Sequence, residues 1–307
     1  MGLDHNVELG EFLRSRRARL GPGDAGVAVN GSARRVPGLR REELARLAGV
    51  STDYYARLEQ GRHRNVSASV LDSVSRALRL NEVEHIYLIQ LARPQPRAAR
   101  RPAARPQRVR PGLHRMLETL DGLTPAFIVG RGMQVLASNR LARSLITDFE
   151  ALPHRERNLA RFIFLDESAR QLYPDWEQIA AETAAVLRLD AGQNCEDRAF
   201  CELIGELAVK SEEFRTAWAA HDVSRRSHGT KRYRHPQVGE ITVAYEALSP
   251  PGDTDQTLFV YTTESGSPSE TALQLLANLT ASLTPPSPAA PRPVLTDPDD
   301  LLEIHAR

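Results

Sequence analysis

The stretch GLRREELARLAGVSTDYYARLEQGR, Gly38–Arg62, decides how the N-terminal part of this chain folds. Leu44, Leu47 and Ala48 recur at helical spacing, and Gly49 follows where a left-handed residue ends a helix. Ser51 or Thr52 can cap a second helix, on which Tyr55 and Leu58 share one face before Gly61 closes it. A small Ala45, a turn at Gly49 and a buried Val50 let the two helices cross closely, as a helix-turn-helix requires. Thr52, Asp53, Ala56 and Arg57 then face outward at the start of the second helix. That end of such a motif meets base edges in the major groove.

Charge agrees with that reading. Residues 1–110 carry 21 arginines and no lysine against 11 acidic residues, whereas 111–307 carry 19 basic against 28 acidic residues. A basic N-terminal third is the footprint of a polyanion binder, and an acidic remainder would repel DNA. Two domains with divided labour follow. Only Lys210 and Lys231 are lysines, a bias that we read as genome composition.

The AGVS turn and the LEQG ending resemble the helix-turn-helix of the Xre/phage-repressor family. The match looks closest to the actinobacterial branch whose C-terminal half is an MmyB-like ligand-binding domain. By match to the family's recognition-helix positions, Thr52, Asp53 and Arg57 are the candidates for base contact, with Ser51 beside them at the turn. Arg57 can fork onto guanine O6/N7, and Asp53 can accept from a cytosine amine while repelling phosphate. Arg40, Arg41 and Tyr54 are placed for phosphates, which fix register without reading sequence. The family pattern also pairs an arginine of the first helix with the glutamate ending the recognition helix, by register Arg17 and Glu59.

Working outward, Glu8–Leu20 reads as a first helix with Leu9, Phe12, Leu13 and Leu20 inward and arginines over the rest. Residues 21–37 form a long Gly- and Pro-containing loop. Arg34 and Arg35 end it, as phosphate contacts or as a solvated pair. Residues 67–80 give another helix, and Asn81 caps a fifth that runs to Ala92, with Val83, Ile86, Tyr87 and Ile89 or Gln90 toward its partner. Residues 93–111 hold seven arginines and five prolines. They make a semi-rigid solvated linker or, on a sharper reading, a basic arm on the phosphates.

Past a helix at Leu113–Leu120 the pattern alternates. PAFIV, GRG and MQVLA read as a β-hairpin; helical patterns follow at Arg140–Ile146, Asp175–Leu189, Asp197–Val209 and Glu212–Ala219; then come three strands. In ITVAYEA, residues Ile241, Val243, Tyr245 and Ala247 share a face. Strands at both ends with helices between predict one antiparallel sheet with packed helices, an α+β domain.

The MmyB-like resemblance spans about 111–275, on PAFIVGRGMQVLASN, RERNLARFIF, YPDW, GELAVKSEEFRTAWAAHDV and HPQVGEITVAYEAL. It implies a PAS-like domain with an effector pocket, for which fatty-acid-like molecules are implicated. Phe127, Phe162, Trp176, Phe214 and Trp218 are candidates for an apolar wall. Among polar residues on these motifs, Asn139, Arg188 and His221 are the ligand candidates, an arginine being suited to a carboxylate headgroup. Asn139 and Asn158 equally suit helix caps.

Catalytic motifs are missing from the sequence: no GxSxG, phosphate-binding Gly-Lys loop or nucleotide fingerprint occurs. Cys195 and Cys201 fall on different faces of a helix, and His221, His228 and His235 are too far apart to pair as ligands, so no metal and no cofactor are expected. The start, MGLDHNVELG, lacks a signal peptide and no 18-residue apolar run exists. A cytoplasmic protein with no membrane partner is expected.

The reading is thus an all-α helix-turn-helix domain at 8–92, a linker at 93–111, an α+β PAS-like ligand-binding domain at 112–280 and a disordered tail at 281–307. Its function is that of a non-enzymatic regulator that binds double-stranded DNA as a homodimer and responds to a small apolar or fatty-acid-like effector. The alternative makes the second domain a ligand-free dimerisation or protein-interaction module. Arg57→Ala should weaken binding to operator DNA by about 1–3 kcal/mol while sparing random-sequence DNA. Competition titrations at one salt concentration measure this, and equal losses on both DNAs would remove Arg57 from base reading.

Overall fold

The computed structural model describes residues 5–27, 36, 38–62, 66–92, 107–194 and 197–283. Five helices form the N-terminal part: α1 (His5–Arg19), α2 (Arg41–Ala48), α3 (Thr52–Glu59), α4 (Ala68–Ala77) and α5 (Glu82–Ala92). Local chemistry sets their ends. The Glu43 carboxylate accepts from the Arg40 amide at 2.7 Å to start α2, and Gly49 stops it with a left-handed φ of 69°. Ser51 then caps α3 by accepting from the Tyr54 amide at 3.1 Å. Asn81 and Glu84 exchange side-chain-to-backbone bonds, each 2.9 Å, to open α5.

Leu9, Phe12, Leu13, Leu44, Tyr55 and Leu58 are buried together where α1, α2 and α3 meet. Three expectations change. Leu47 stays 41% exposed on the outer side of α2, and Val50 is only half-buried. On α5 the buried side is Tyr87, Leu88, Leu91 and Ala92, because α5 packs against α1 and also against a helix of the second domain.

Helix α6 (Pro111–Leu120) leads into β1 (Ala126–Val129), a 3₁₀ turn and β2 (Val135–Ser138). There follow α7 (Arg140–Leu145), α8 (Leu159–Leu165), α9 (Glu167–Leu172), α10 (Trp176–Asn194), α11 (Arg198–Lys210) and α12 (Glu212–Ala219). Strands β3 (His228–His235), β4 (Gly239–Leu248) and β5 (Thr257–Thr262) precede α13 (Pro268–Leu283). The strands make one sheet in the order β2-β1-β5-β4-β3, antiparallel throughout, so the N-terminal hairpin docks on β5. Helix α6 covers one face over Ala126, Ile128 and Leu258. Against the other face, Phe127, Tyr233, Ile241, Val243 and Tyr261 pack with α7–α10, α12 and α13. The α+β architecture agrees with the sequence pattern. Helices α8, α9 and α13 are additions that hydrophobic periodicity did not supply, and α10 runs past Leu189 to Asn194.

Glycines mark where α1 and α3 approach most closely. A Cβ on Gly61, itself at φ 67°, would run into the Asn6 carbonyl of α1. Gly49 has the same backbone sign but open space around it. Gly49→Ala should therefore cost about 1 kcal/mol of unfolding free energy, and Gly61→Ala about 2–3 kcal/mol through added steric displacement. Urea denaturation of both variants tests the order; equal losses would show that the α1–α3 approach is not tight.

Candidate nucleic-acid interface and effector site

Helix α3 presents Thr52, Asp53 and Arg57 to solvent, with Tyr54 half-buried beside them. Ser51 is also exposed, but its hydroxyl serves the cap of α3. Beneath the helix lies Glu59, 1% exposed. Arg17 holds it with two bonds, Nε to Oε2 at 3.0 Å and Nη2 to Oε1 at 2.8 Å, and donates a third to the Leu39 carbonyl at 2.7 Å. The expected Arg17–Glu59 pair is present. Burial raises the Glu59 carboxyl, but the hydrogen bonds from Arg17 and Arg41 override it and hold the group below its usual range. Arg41, a phosphate candidate, bonds Glu59 at 3.1 Å while its side chain stays 44% exposed. Arg40 remains at the surface, 3.6 Å from Glu42. Arg34 and Arg35 lie outside the described residues.

In the second part of the chain, Phe127, Phe162, Trp176 and Phe214 converge on the interior between sheet and helices. Phe127 stacks on Phe259 at 5.2 Å, Phe162 meets Phe149 and Tyr173 edge-on, and Phe214 stacks on Trp218 at 5.3 Å. The Trp176 Nε1 donates to the Ile163 carbonyl at 2.9 Å. Asn139 is fully engaged: its Oδ1 accepts from Ala142 at 2.9 Å to cap α7 and from Ala126 at 3.1 Å, and its Nδ2 donates to Thr124 at 2.7 Å. Its role in the structure is a cap that also ties β1 to α7.

The same interior contains polar groups that sequence reasoning passed over. Lys231 is 4% exposed, donates to the Tyr261 hydroxyl at 3.4 Å and sits 5.1 Å from the Tyr245 ring centroid. Burial drives its ammonium well below the usual range, and the nearby Arg226 charge acts the same way. Arg226 donates through Nη2 to the Thr183 hydroxyl of α10 at 2.6 Å. The signal was strand parity. Lys231, Tyr233 and His235 alternate inward on β3 between exposed Thr230, Arg232 and Arg234.

Residues 8–86 match a helix-turn-helix domain family, and residues 109–276 match the MmyB-like transcription regulator ligand binding domain. The chain belongs to the MmyB-like transcription regulators. It is a DNA-binding transcriptional regulator with a ligand-binding domain, and neither matched family is enzymatic. No curated protein matches the chain. Among the described residues, no helix is long and apolar enough to cross a membrane.

Two expected ligand residues of this MmyB-like regulator, Arg188 and His221, face α1 of the helix-turn-helix domain instead. Arg188, 1% exposed, donates to the Glu8 carboxylate and to the Trp218 carbonyl, and its guanidinium lies 4.1 Å from the Trp218 ring centroid. The Tyr87 hydroxyl donates to the same Glu8 oxygen at 2.9 Å, and His221 Nδ1 stands 3.4 Å from it. The reason is helical phase: α10 turns Thr183 toward Arg226, and Arg188 comes about 140° further round. Arg16 adds an ion pair to Glu84 at 2.7 Å and a bond to the His221 carbonyl at 2.8 Å, while Asp222 receives both Arg16 and Arg19. Leu189 and Val223 complete the apolar side of the junction by packing into the helix-turn-helix core. Glu8, Glu11 and His221 bring ligand atoms within 4.8 Å of one another, but the Arg188 cation already on Glu8 opposes a metal ion there.

Burial raises the Glu8 carboxyl, yet the His221 hydrogen bond and the Arg188 charge prevail and bring it from 4.5 to about 2. A folded-state value below the unfolded one stabilises the fold above pH 4.5, and that contribution is lost as pH falls toward 2. Glu8→Gln should thus melt below the wild type at pH 7, with a gap on the order of 3 kcal/mol that closes between about pH 4.5 and 2. Thermal unfolding across that range measures it; a gap independent of pH would separate Glu8 from this linkage.

Proposed function

We propose that this regulator senses a small apolar or fatty-acid-like molecule within its α+β domain and binds its operator as a cytoplasmic homodimer. Residues 8–92 read DNA, 93–111 connect and 112–280 hold the effector. Thr52, Asp53 and Arg57 meet bases, with Arg40 and Tyr54 on phosphates. Phe127, Phe162, Trp176, Phe214 and Trp218 contribute to the apolar wall.

One observation carries the reading that the two domains act together: Arg188 and Glu8 form an ion pair buried between them. A ligand changes DNA affinity only if it favours one arrangement of the protein over another. Helix α10 borders the sheet interior through Ala180, Ala184 and Leu187 and grips α1 through Arg188, and α1 packs on the recognition helix at Gly10 and Glu59. Displacement of α10 by a ligand therefore reaches α3 through packed contacts. The aromatic interior, in which Phe127 and Phe214 are almost wholly buried against other rings, favours the second reading of a self-filled dimerisation module.

Native mass spectrometry of the purified protein, with denaturing extraction of bound molecules, separates the two. A dimer carrying an apolar or amphipathic species, whose removal changes operator affinity several-fold, supports the sensor. A dimer with nothing bound and with operator affinity unmoved by lipids would establish the self-filled module, and a monomer on and off DNA would remove the dimer.

A further inference from the structure

Arginines from α1 and α2 gather on one buried carboxylate at the end of the recognition helix. Glu59 closes α3, and its side chain has no exposed surface. Arg17 of α1 neutralises it through two hydrogen bonds, at 3.0 and 2.8 Å. Arg41, the first residue of α2, reaches the same Oε1 at 3.1 Å, and Arg14 of α1 stands 3.7 Å from it. Among the described residues, Glu59 is the ion-pair partner that all three share. An arginine does not give up its proton, so one carboxylate balances one of three guanidinium charges.

The three arginines are not equivalent. Arg17 is 12% exposed, also donates to the Leu39 carbonyl, and ties α1 to α3. Arg14 and Arg41 keep 56% and 44% of their side chains exposed. At 3.7 Å, Arg14 attracts Glu59 by charge alone, and the contact engages none of its N–H groups. A surface cation beside a carboxylate that is already paired adds little stability, and its neighbouring guanidinium groups repel it. Stability therefore gives no account of Arg14. The arrangement does present two planar donor forks, one from each helix, fixed around a single point of the surface. A phosphate diester is the acceptor that such forks match in charge and in geometry. The point lies on the helix-turn-helix itself, next to exposed Arg40 and at the opposite end of α3 from Thr52 and Asp53.

We propose that Arg14 and Arg41 together hold one backbone phosphate of the bound DNA, with Glu59 as the residue that positions them. Helix α1 then rests on the duplex as well as on the recognition helix. Glu8 lies six residues earlier on α1, about 240° round its axis. One short helix thus carries a phosphate contact on one side and the Arg188 ion pair on another. A shift of α10 reaches a DNA contact through α1 directly, without passing through α3. The phosphate site itself depends only on the DNA-binding domain and stands whether or not the second domain holds an effector.

The test uses the full-length protein and a labelled mixed-sequence DNA duplex, with affinity read by fluorescence anisotropy between about 50 and 200 mM salt. Arg14→Ala should bind about tenfold more weakly at the lowest salt and about threefold more weakly at the highest. The slope of log affinity against log salt should shrink by about 0.9, the value of one phosphate. Arg14→Lys, which keeps the charge, should restore most of that slope. Without DNA, Arg14→Ala should melt with the wild type, because Arg17 and Arg41 still hold Glu59. Replacing Arg14 and Arg41 together by alanine should remove one phosphate's worth of slope; a loss near twice that would split the shared site into two contacts. Unchanged affinity and slope in Arg14→Ala would take the residue off the DNA. Weaker binding with a lower melting temperature, not restored by lysine, would make Arg14 a structural prop for Glu59 and overturn the assignment. Wild-type binding that ignores salt would remove every phosphate contact, this one included.

Discussion

Glu8 and Arg188 face each other with almost no access to water, one on the first helix of the DNA-binding domain and one on the long helix of the effector domain. Such a pair is not a source of great stability when formed, because desolvation of both ions offsets their attraction. Its force lies in what separation would do: either ion left buried alone costs about 3–5 kcal/mol. The two domains therefore either stay joined or expose both charges to water together. Tyr87, His221 and the Arg16–Glu84–Asp222 group are arranged around this pair.

Helix α1 is the shared part. Its Glu8 side belongs to the junction, its Arg17 side clamps Glu59 at the end of the recognition helix, and Gly10 lets it lie against the Glu59 backbone. Each contact has a different physical origin, yet all fix the same short helix. The exposed face of α3 with Thr52, Asp53 and Arg57 lies outside these contacts, so the junction leaves that face open to solvent.

Much of this was legible in the sequence where the signal is local. Gly49, Ser51 and the Tyr55–Leu58 pair announce a turn and a capped helix through backbone sterics and spacing alone, and Ile241–Val243–Tyr245 reveals a half-buried strand by parity. The Arg17–Glu59 pair came from the family pattern. Arg188 and His221 were misplaced because a basic residue on an amphipathic helix gives no sign of whether its face meets a ligand or another domain. Helices α8 and α9 are too short to build a clear period, and α13 lies beyond the three strands with which the predicted pattern ends. Lys231 was visible as one of two lysines, but its inward parity has meaning only once the register of β3 against β4 is known.

The junction on α1 and α5 also bears on what the segment between the domains contributes. Two domains held only by a flexible tether meet at an effective concentration set by tether length, in the millimolar range for short tethers. Here the relative orientation is fixed instead by a buried ion pair and by Leu189 and Val223 seated in the helix-turn-helix core. The relative placement of the domains is then a property of that contact surface rather than of the length of the tether.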